Sequence, residues 1–263
     1  MEPICGPSTP KKARKPRDSE CGLKLYYQPI VQPMFAKTIG YEALIRLVDK
    51  EMRFLSPAVF IPIAEKSGLN IALGSWVFEE ACRTIIKMQK KNIKFDYISV
   101  NVSKKHMLKK DFSTDLVKII EKYEVTPDKL CLEISEFDMI NKSASIMTRM
   151  HDLQKLGFRI AIDDFGGGFA TISKLGILPA DILKLDKSFV DRIVVDKHAH
   201  DICDAVINLA DKLNLEVVAK GIETVAQQKM LMQMGCQKMQ GFLFGAPMKE
   251  RDILYPKKQS EEE

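Results

Sequence analysis

No stretch of this chain approaches the ~18 consecutive apolar residues that a membrane-spanning helix needs, which sets that class aside. The chain opens with Pro and Lys rather than an apolar run, so no secretory leader is expected. Its six cysteines, Cys5, Cys21, Cys82, Cys131, Cys203 and Cys236, are widely scattered and form no CxxC pair. That spacing argues against structural zinc and against a disulfide framework, and a reducing cytoplasm is the expected setting. No GxGxxG follows a first strand, and the three glycines at 166–168 have no Walker lysine after them. A dinucleotide fold and a P-loop therefore both lack their sequence marks. Charge of one sign is scarce too: the formal net charge of +5 is too diffuse to argue for a nucleic-acid partner.

What is present suits one large domain. The 263 residues are 46% apolar and 29% charged, and single α/β barrels commonly run to roughly 250 residues. Residues 1–22 hold four prolines together with Lys11, Lys12, Arg14, Lys15 and Arg17. They read as a disordered basic tail, with KKARKPR a solvated leader rather than a nucleic-acid contact. Residues 253–263 read as a loose C-terminal tail, leaving 23–252 as the folded domain.

Within that domain strand-like and helix-like segments alternate. LYYQPIV and IGYEALIRL are rich in β-formers, and the short turn between them predicts an antiparallel pair. Ser56 followed by Pro57 marks a helix start that Gly68 closes. Amphipathic helices are predicted over Ala72–Lys91, Phe112–Glu124, Lys142–Leu156, His198–Lys212 and Val225–Met234. Between them stand DYISVNVS, KLCLEIS, FRIAIDDFG, DILKLD, LEVVAKGIET and KMQGFLF, short and β-branched as buried parallel strands are. About seven such units favour a closed α/β barrel of the (β/α)8 type, modified by one antiparallel strand, over an open sheet.

Acidic and amide residues recur at the ends of these strands: Glu42, Asn101, Glu133, and the adjacent Asp163 and Asp164. Lys184 and Gln240 follow at later strand ends. Barrels of this kind build their sites on that rim. Oxygen donors from Asp, Glu and Asn suit Mg2+ or Mn2+ rather than zinc or copper. Alternation alone would point Asp163 and Asp164 to opposite sides, so the strand is expected to end there in a turn that aims both inward. Two cations held so can grip both oxygens of an in-line phosphoryl displacement, and Arg46 offers a fork for phosphate. Taken singly, an Asp-Asp pair reads as a turn, Asn101 as a turn residue, Glu136 as a solvated helix-start acid and Lys184 as surface charge. Their recurrence at successive strand ends carries the argument.

In order along the chain, YEALIRL, VNVS, LEISE, IDDFGGG, LKLD, VVAKGIET and QGFLFGAP closely resemble the EAL domain family. Members of that family hydrolyse the bacterial second messenger cyclic di-GMP to linear pGpG with two Mg2+ or Mn2+ ions in a modified TIM barrel. The resemblance implies that Glu42, Asn101, Glu133 and Asp163 hold one metal, and that Asp163 and Asp164 face the second. It implies a catalytic part for Lys184, Asp164 and Glu42, ligand contacts from Arg46, Leu44 and Gln240, and a supporting part for Glu136 under the DDFG loop. Family members also pair through helices near that loop, which makes a homodimer an expectation.

One position departs from the pattern. VVAKGIET carries Lys220 where the family has a glutamate associated with the second metal and with the nucleophilic water. At an effective dielectric near 20, a like charge at ~4 Å costs on the order of 4 kcal/mol per unit charge. The alternative that this departure raises is a degenerate module that senses cyclic di-GMP or engages a protein partner. Leu47, where the family commonly has Trp, and the GGFAT continuation of the loop are milder departures.

Overall fold

The computed structural model describes residues 22–49, 51, 53–140, 143–166 and 175–256. The basic segment before residue 22, residues 167–174 and residues 257–263 lie outside the described residues, as do the dimer contacts expected near the DDFG motif.

Eight strands close on themselves. In chain order they are β1 (Gly22–Gln32), β2 (Lys37–Val48), β4 (Tyr97–Asn101), β5 (Leu130–Ser135), β6 (Arg159–Phe165), β7 (Ile182–Leu185), β8 (Glu216–Ala219) and β9 (Lys238–Gln240). β2 and β4 to β9 are parallel neighbours around the ring, while β1 closes it, antiparallel to both β2 and β9. The predicted barrel with one antiparallel strand is thus the observed architecture. Two short antiparallel additions extend the sheet outside the ring: β3 (Phe54–Leu55) on β2, and β10 (Met248–Lys249) on β1.

Helices cover the outside. They are α1 (Pro57–Lys66), α2 (Asn70–Lys90), α3 (Lys104–Met107), α4 (Phe112–Lys122), α5 (Glu136–Ile140) and α6 (Ser143–Lys155), then α7 (Lys187–Arg192), α8 (Lys197–Lys212), α9 (Val225–Gln233) and α10 (Glu250–Leu254). Ser56 and Pro57 begin α1 as expected, although the Ser56 hydroxyl makes no cap bond. α2 begins two residues earlier than its amphipathic pattern predicts, at Asn70. The fold also continues past residue 252, because Ile253 of α10 packs into the core against α2 and β1. No helix among the described residues is long and apolar enough to cross a membrane.

Alternation along the strands places the candidate site. Ile30, Tyr97, Cys131, Ala161, Ile182 and Val218 pack together as a buried apolar floor inside the ring. Side chains two residues further along a strand lie on the same face, so Ser99, Glu133, Asp163, Lys184 and Lys220 sit one layer above it. In antiparallel β1 the same step runs backwards, from Ile30 to Gln28. Gly40 is required beside this floor: a Cβ there would lie 2.7 Å from the Tyr97 carbonyl oxygen. The next inward residue of β2 is Glu42.

Candidate active site

Lys184 is the hub of the layer. All four residues of β7 are buried, and Lys184 is 1% exposed. Its Nζ donates to Glu42 Oε2 at 2.8 Å and to Glu133 Oε1, with Asp163 Oδ1 at 3.9 Å. Burial alone would lower the ammonium's pKa, but the carboxylates of Glu133, Glu42 and Asp163 hold it well above its usual value. The surface-charge reading of Lys184 is thereby corrected: an ammonium so enclosed is retained only because three acids surround it.

Glu42 and Glu133 share this lysine and respond in opposite directions. Burial pushes the Glu42 carboxyl up, yet Lys184, then Lys220 and the Gln240 amide, bring it down to about 2. Gln240 Nε2 donates to Glu42 Oε2 at 2.7 Å and Asn101 Nδ2 donates to Oε1 at 3.2 Å. For Glu133, burial and then the Glu42 charge outweigh Lys184, and its carboxyl is pushed up to about 8. Its Oε2 is buried without a hydrogen-bond partner. Gln28, which sequence reasoning did not single out, accepts from Gln240 Nε2 at 3.1 Å. Only the inward alternation of β1 pointed to it.

Lys220 follows β8 directly and lies across the aspartate pair. Its Nζ donates to Asp163 Oδ1 at 2.6 Å and to Asp164 Oδ1. Both carboxylates therefore reach one ammonium, although the strand does not end at Asp163 as expected. β6 continues through Phe165. A register shift between Ile162 and Phe165, with Asp164 at φ 54°, turns the chain so that both acids face the same way. Aspartate tolerates this left-handed backbone better than most residues. Burial would lower the Lys220 pKa, but Asp163 raises it against the repulsion of Lys184. Glu223 offers no replacement for the missing acid, since its carboxylate is engaged by Lys187 at 2.8 Å.

Glu136 is 3% exposed rather than solvated. Its Oε2 accepts from the Gly166 N–H at 2.8 Å, which fixes the point where the DDFG loop leaves β6. Arg46 and Leu44 lie further along β2 and line a cavity of about 320 Å3 that also reaches Asn101 and Glu133. The Arg46 guanidinium is half-buried and, among the described residues, makes one bond, from Nη1 to the Ile45 carbonyl at 2.9 Å; burial lowers its pKa. Its remaining donors are available at the mouth.

Among the described residues, no group of three or more His, Cys, Asp or Glu is arranged to hold a metal ion. The donor chemistry nonetheless fits one hard cation beside the unpartnered Oε2 of Glu133, with Glu42 and Asn101 as neighbours. The Asp163–Asp164 pair does not fit a second while the Lys220 ammonium bridges it. Four carboxylates, Glu42, Glu133, Asp163 and Asp164, thus converge on two lysines rather than on each other.

The family model described as EAL domain matches residues 13–247. The oxygen sensor protein DosP of Escherichia coli is 35% identical over 231 residues, covering 88% of this chain and 29% of DosP. The bifunctional diguanylate cyclase/cyclic di-GMP phosphodiesterase MucR of Pseudomonas aeruginosa is 34% identical over 233 residues, covering 88% of this chain and 34% of MucR. This chain therefore spans about a third of the length of such relatives. The solved structure of the PaMucR phosphodiesterase in complex with c-di-GMP superposes with a TM-score of 0.83 at 34% identity, covering 88% of this chain and 94% of that one.

Proposed function

This chain belongs to the EAL domain family, and from that premise we propose that it binds cyclic di-GMP across the mouth of the barrel and hydrolyses it to linear pGpG with Mg2+ or Mn2+. In that reaction water adds to one phosphorus and the P–O3′ bond breaks, leaving a 5′-phosphate and a free 3′-hydroxyl. The observation that carries the reading is the convergence of Glu42, Glu133 and Asp163 on the buried Lys184 at the strand ends. The complex of a 34%-identical relative with c-di-GMP supports the substrate.

Each residue has a part that its position suits. The free donors of Arg46 hold a phosphate, and Gln240 and Asn101 fix the orientation of Glu42. Lys184 orients the attacking water and offsets negative charge on the phosphoryl oxygens. Glu42, Asn101, Glu133 and Asp163 would hold a cation, which when bound neutralises phosphate charge and lowers the pKa of water. Asp164 acts at the same rim once it is released by Lys220.

A second reading rests on one specific observation. Lys220 occupies both aspartates that the two-metal reaction needs, which favours ligand binding without turnover, as in a cyclic di-GMP sensor or a module that engages a protein partner. Purified protein incubated with cyclic di-GMP and either Mg2+ or Mn2+, with products resolved by chromatography, separates the two. Formation of pGpG that disappears in Glu42→Ala supports hydrolysis. Tight binding with no pGpG at any metal concentration supports the second reading instead.

A further inference from the structure

The outer face of α1 is apolar where a surface helix ordinarily carries charge. Phe60 turns to the core, while Val59 and Ile63, one turn apart on the far side, are each more than half exposed. Ala58 and Pro62 are exposed beside them. Phe54 just before the helix and Leu69 just after it are also more than half exposed, and no charged residue stands between Phe54 and Ala64. The sheet adds to this face. β3, which holds Phe54 and Leu55, is the last strand at its end of the sheet and pairs with β2 on one side only. An apolar edge strand beside an apolar helix face is the mark of a surface that associates.

We propose that the β3–α1 face packs against the same face of a second copy of this chain, across a two-fold axis. The arrangement of charge selects that occupant. Glu51 and Arg53 precede the face, and Glu65 and Lys66 follow it, so each end holds one acid and one base. A face without net charge gives nucleic acid, an anionic lipid surface or a strongly charged protein nothing to read. Turned end for end on its own copy, it sets Arg53 towards the partner's Glu65 and Lys66 towards the partner's Glu51. Glu51 and Arg53 pair with each other at 2.8 Å within one copy, both largely exposed, and such a pair exchanges partners at little cost. A two-fold axis also lets the open edge of β3 meet its own copy, which is how a self-complementary interface is built. The face lies on the β2 side of the ring, three strands from β6, and is thus separate from the pairing expected near the DDFG motif. The inference stands independently of the nucleotide reading.

Sedimentation velocity of the full chain at up to about 100 μM tests this with wild type, Ile63→Glu, Ile63→Lys and, as a control on another exposed apolar residue, Val195→Glu. Thermal unfolding run in parallel is expected to match the wild type, because Ile63 faces solvent within one copy; Val59→Glu replaces either variant that unfolds early. The wild type is expected to form a dimer that Val195→Glu keeps. Each charged variant at Ile63 is expected to weaken it about 30-fold or more, as loss of a central apolar contact does. Mixing Ile63→Glu with Ile63→Lys is expected to restore a mixed dimer, since the two faces then carry opposite charge. A wild type that stays monomeric overturns the proposal. Association unchanged in both Ile63 variants overturns it too, because another face then holds the copies together. Loss in both variants without recovery on mixing overturns the pairing of this face with itself.

Discussion

Two lysines meet the same kind of partner in this barrel, and they differ in depth. Lys184 is sealed under the rim among Glu42, Glu133 and Asp163, with 1% of its side chain exposed. Lys220 sits above it with 17% exposed, gripping Asp163 at 10% and Asp164 at 55% exposure. An ion pair removed from water is costly to break, because the partner left behind is a buried unpaired charge, whereas a rim pair yields readily to solvent or to another cation. The difference separates a structural hub from a displaceable bridge. It also gives Lys220 a way out: its partner Asp164 already faces solvent, so a metal or substrate phosphate competes for it on open ground.

Removing each lysine in turn tests that contrast most severely. Lys184→Met is expected to lose about 3–5 kcal/mol in urea unfolding, the range for stranding buried charges. Lys220→Met, at a partly solvated site, is expected to cost about 1 kcal/mol. Equal losses would erase the distinction between hub and bridge.

The acids beneath the lysines sharpen it through pH. Glu42 is depressed from 4.5 to about 2, so its contribution is complete above pH 4.5 and is lost as pH falls towards 2. Glu133 is raised from 4.5 to about 8. Its contribution is complete below pH 4.5 and is lost as pH rises through 8. Tm against pH in metal-free buffer should therefore lose its acid limb in Glu42→Gln and its alkaline decline in Glu133→Gln. The smallest expected effect is Gln28→Leu, which removes an acceptor of Gln240 and should cost about 1 kcal/mol. No measurable change there would show that Gln240 is held by Glu42 alone.

Much of this was legible before any coordinates. The alternation of apolar strands with amphipathic helices gave the barrel, and the tight connection between LYYQPIV and IGYEALIRL gave its one antiparallel strand. Glu42, Glu133, Asp163 and Lys184 were visible because they recur at successive strand ends and fall within the motifs that resemble the family. The joint aim of Asp163 and Asp164 was visible, but not its cause, since a register shift and a left-handed residue inside a strand leave no compositional mark. The burial of Lys184 and Glu136 depends on what closes over them from other strands and helices. Gln28 is a neutral polar residue that only the inward alternation of β1 marks.

The most direct measurement compares the rate of pGpG formation by wild type and Lys220→Glu under saturating cyclic di-GMP with Mg2+ and with Mn2+. The account predicts slow turnover by the wild type and a gain of about tenfold or more in Lys220→Glu, because each 1.36 kcal/mol of relieved opposition at the aspartate pair is a factor of ten in rate. A Lys220→Glu variant that binds cyclic di-GMP as the wild type does but forms pGpG no faster would contradict it.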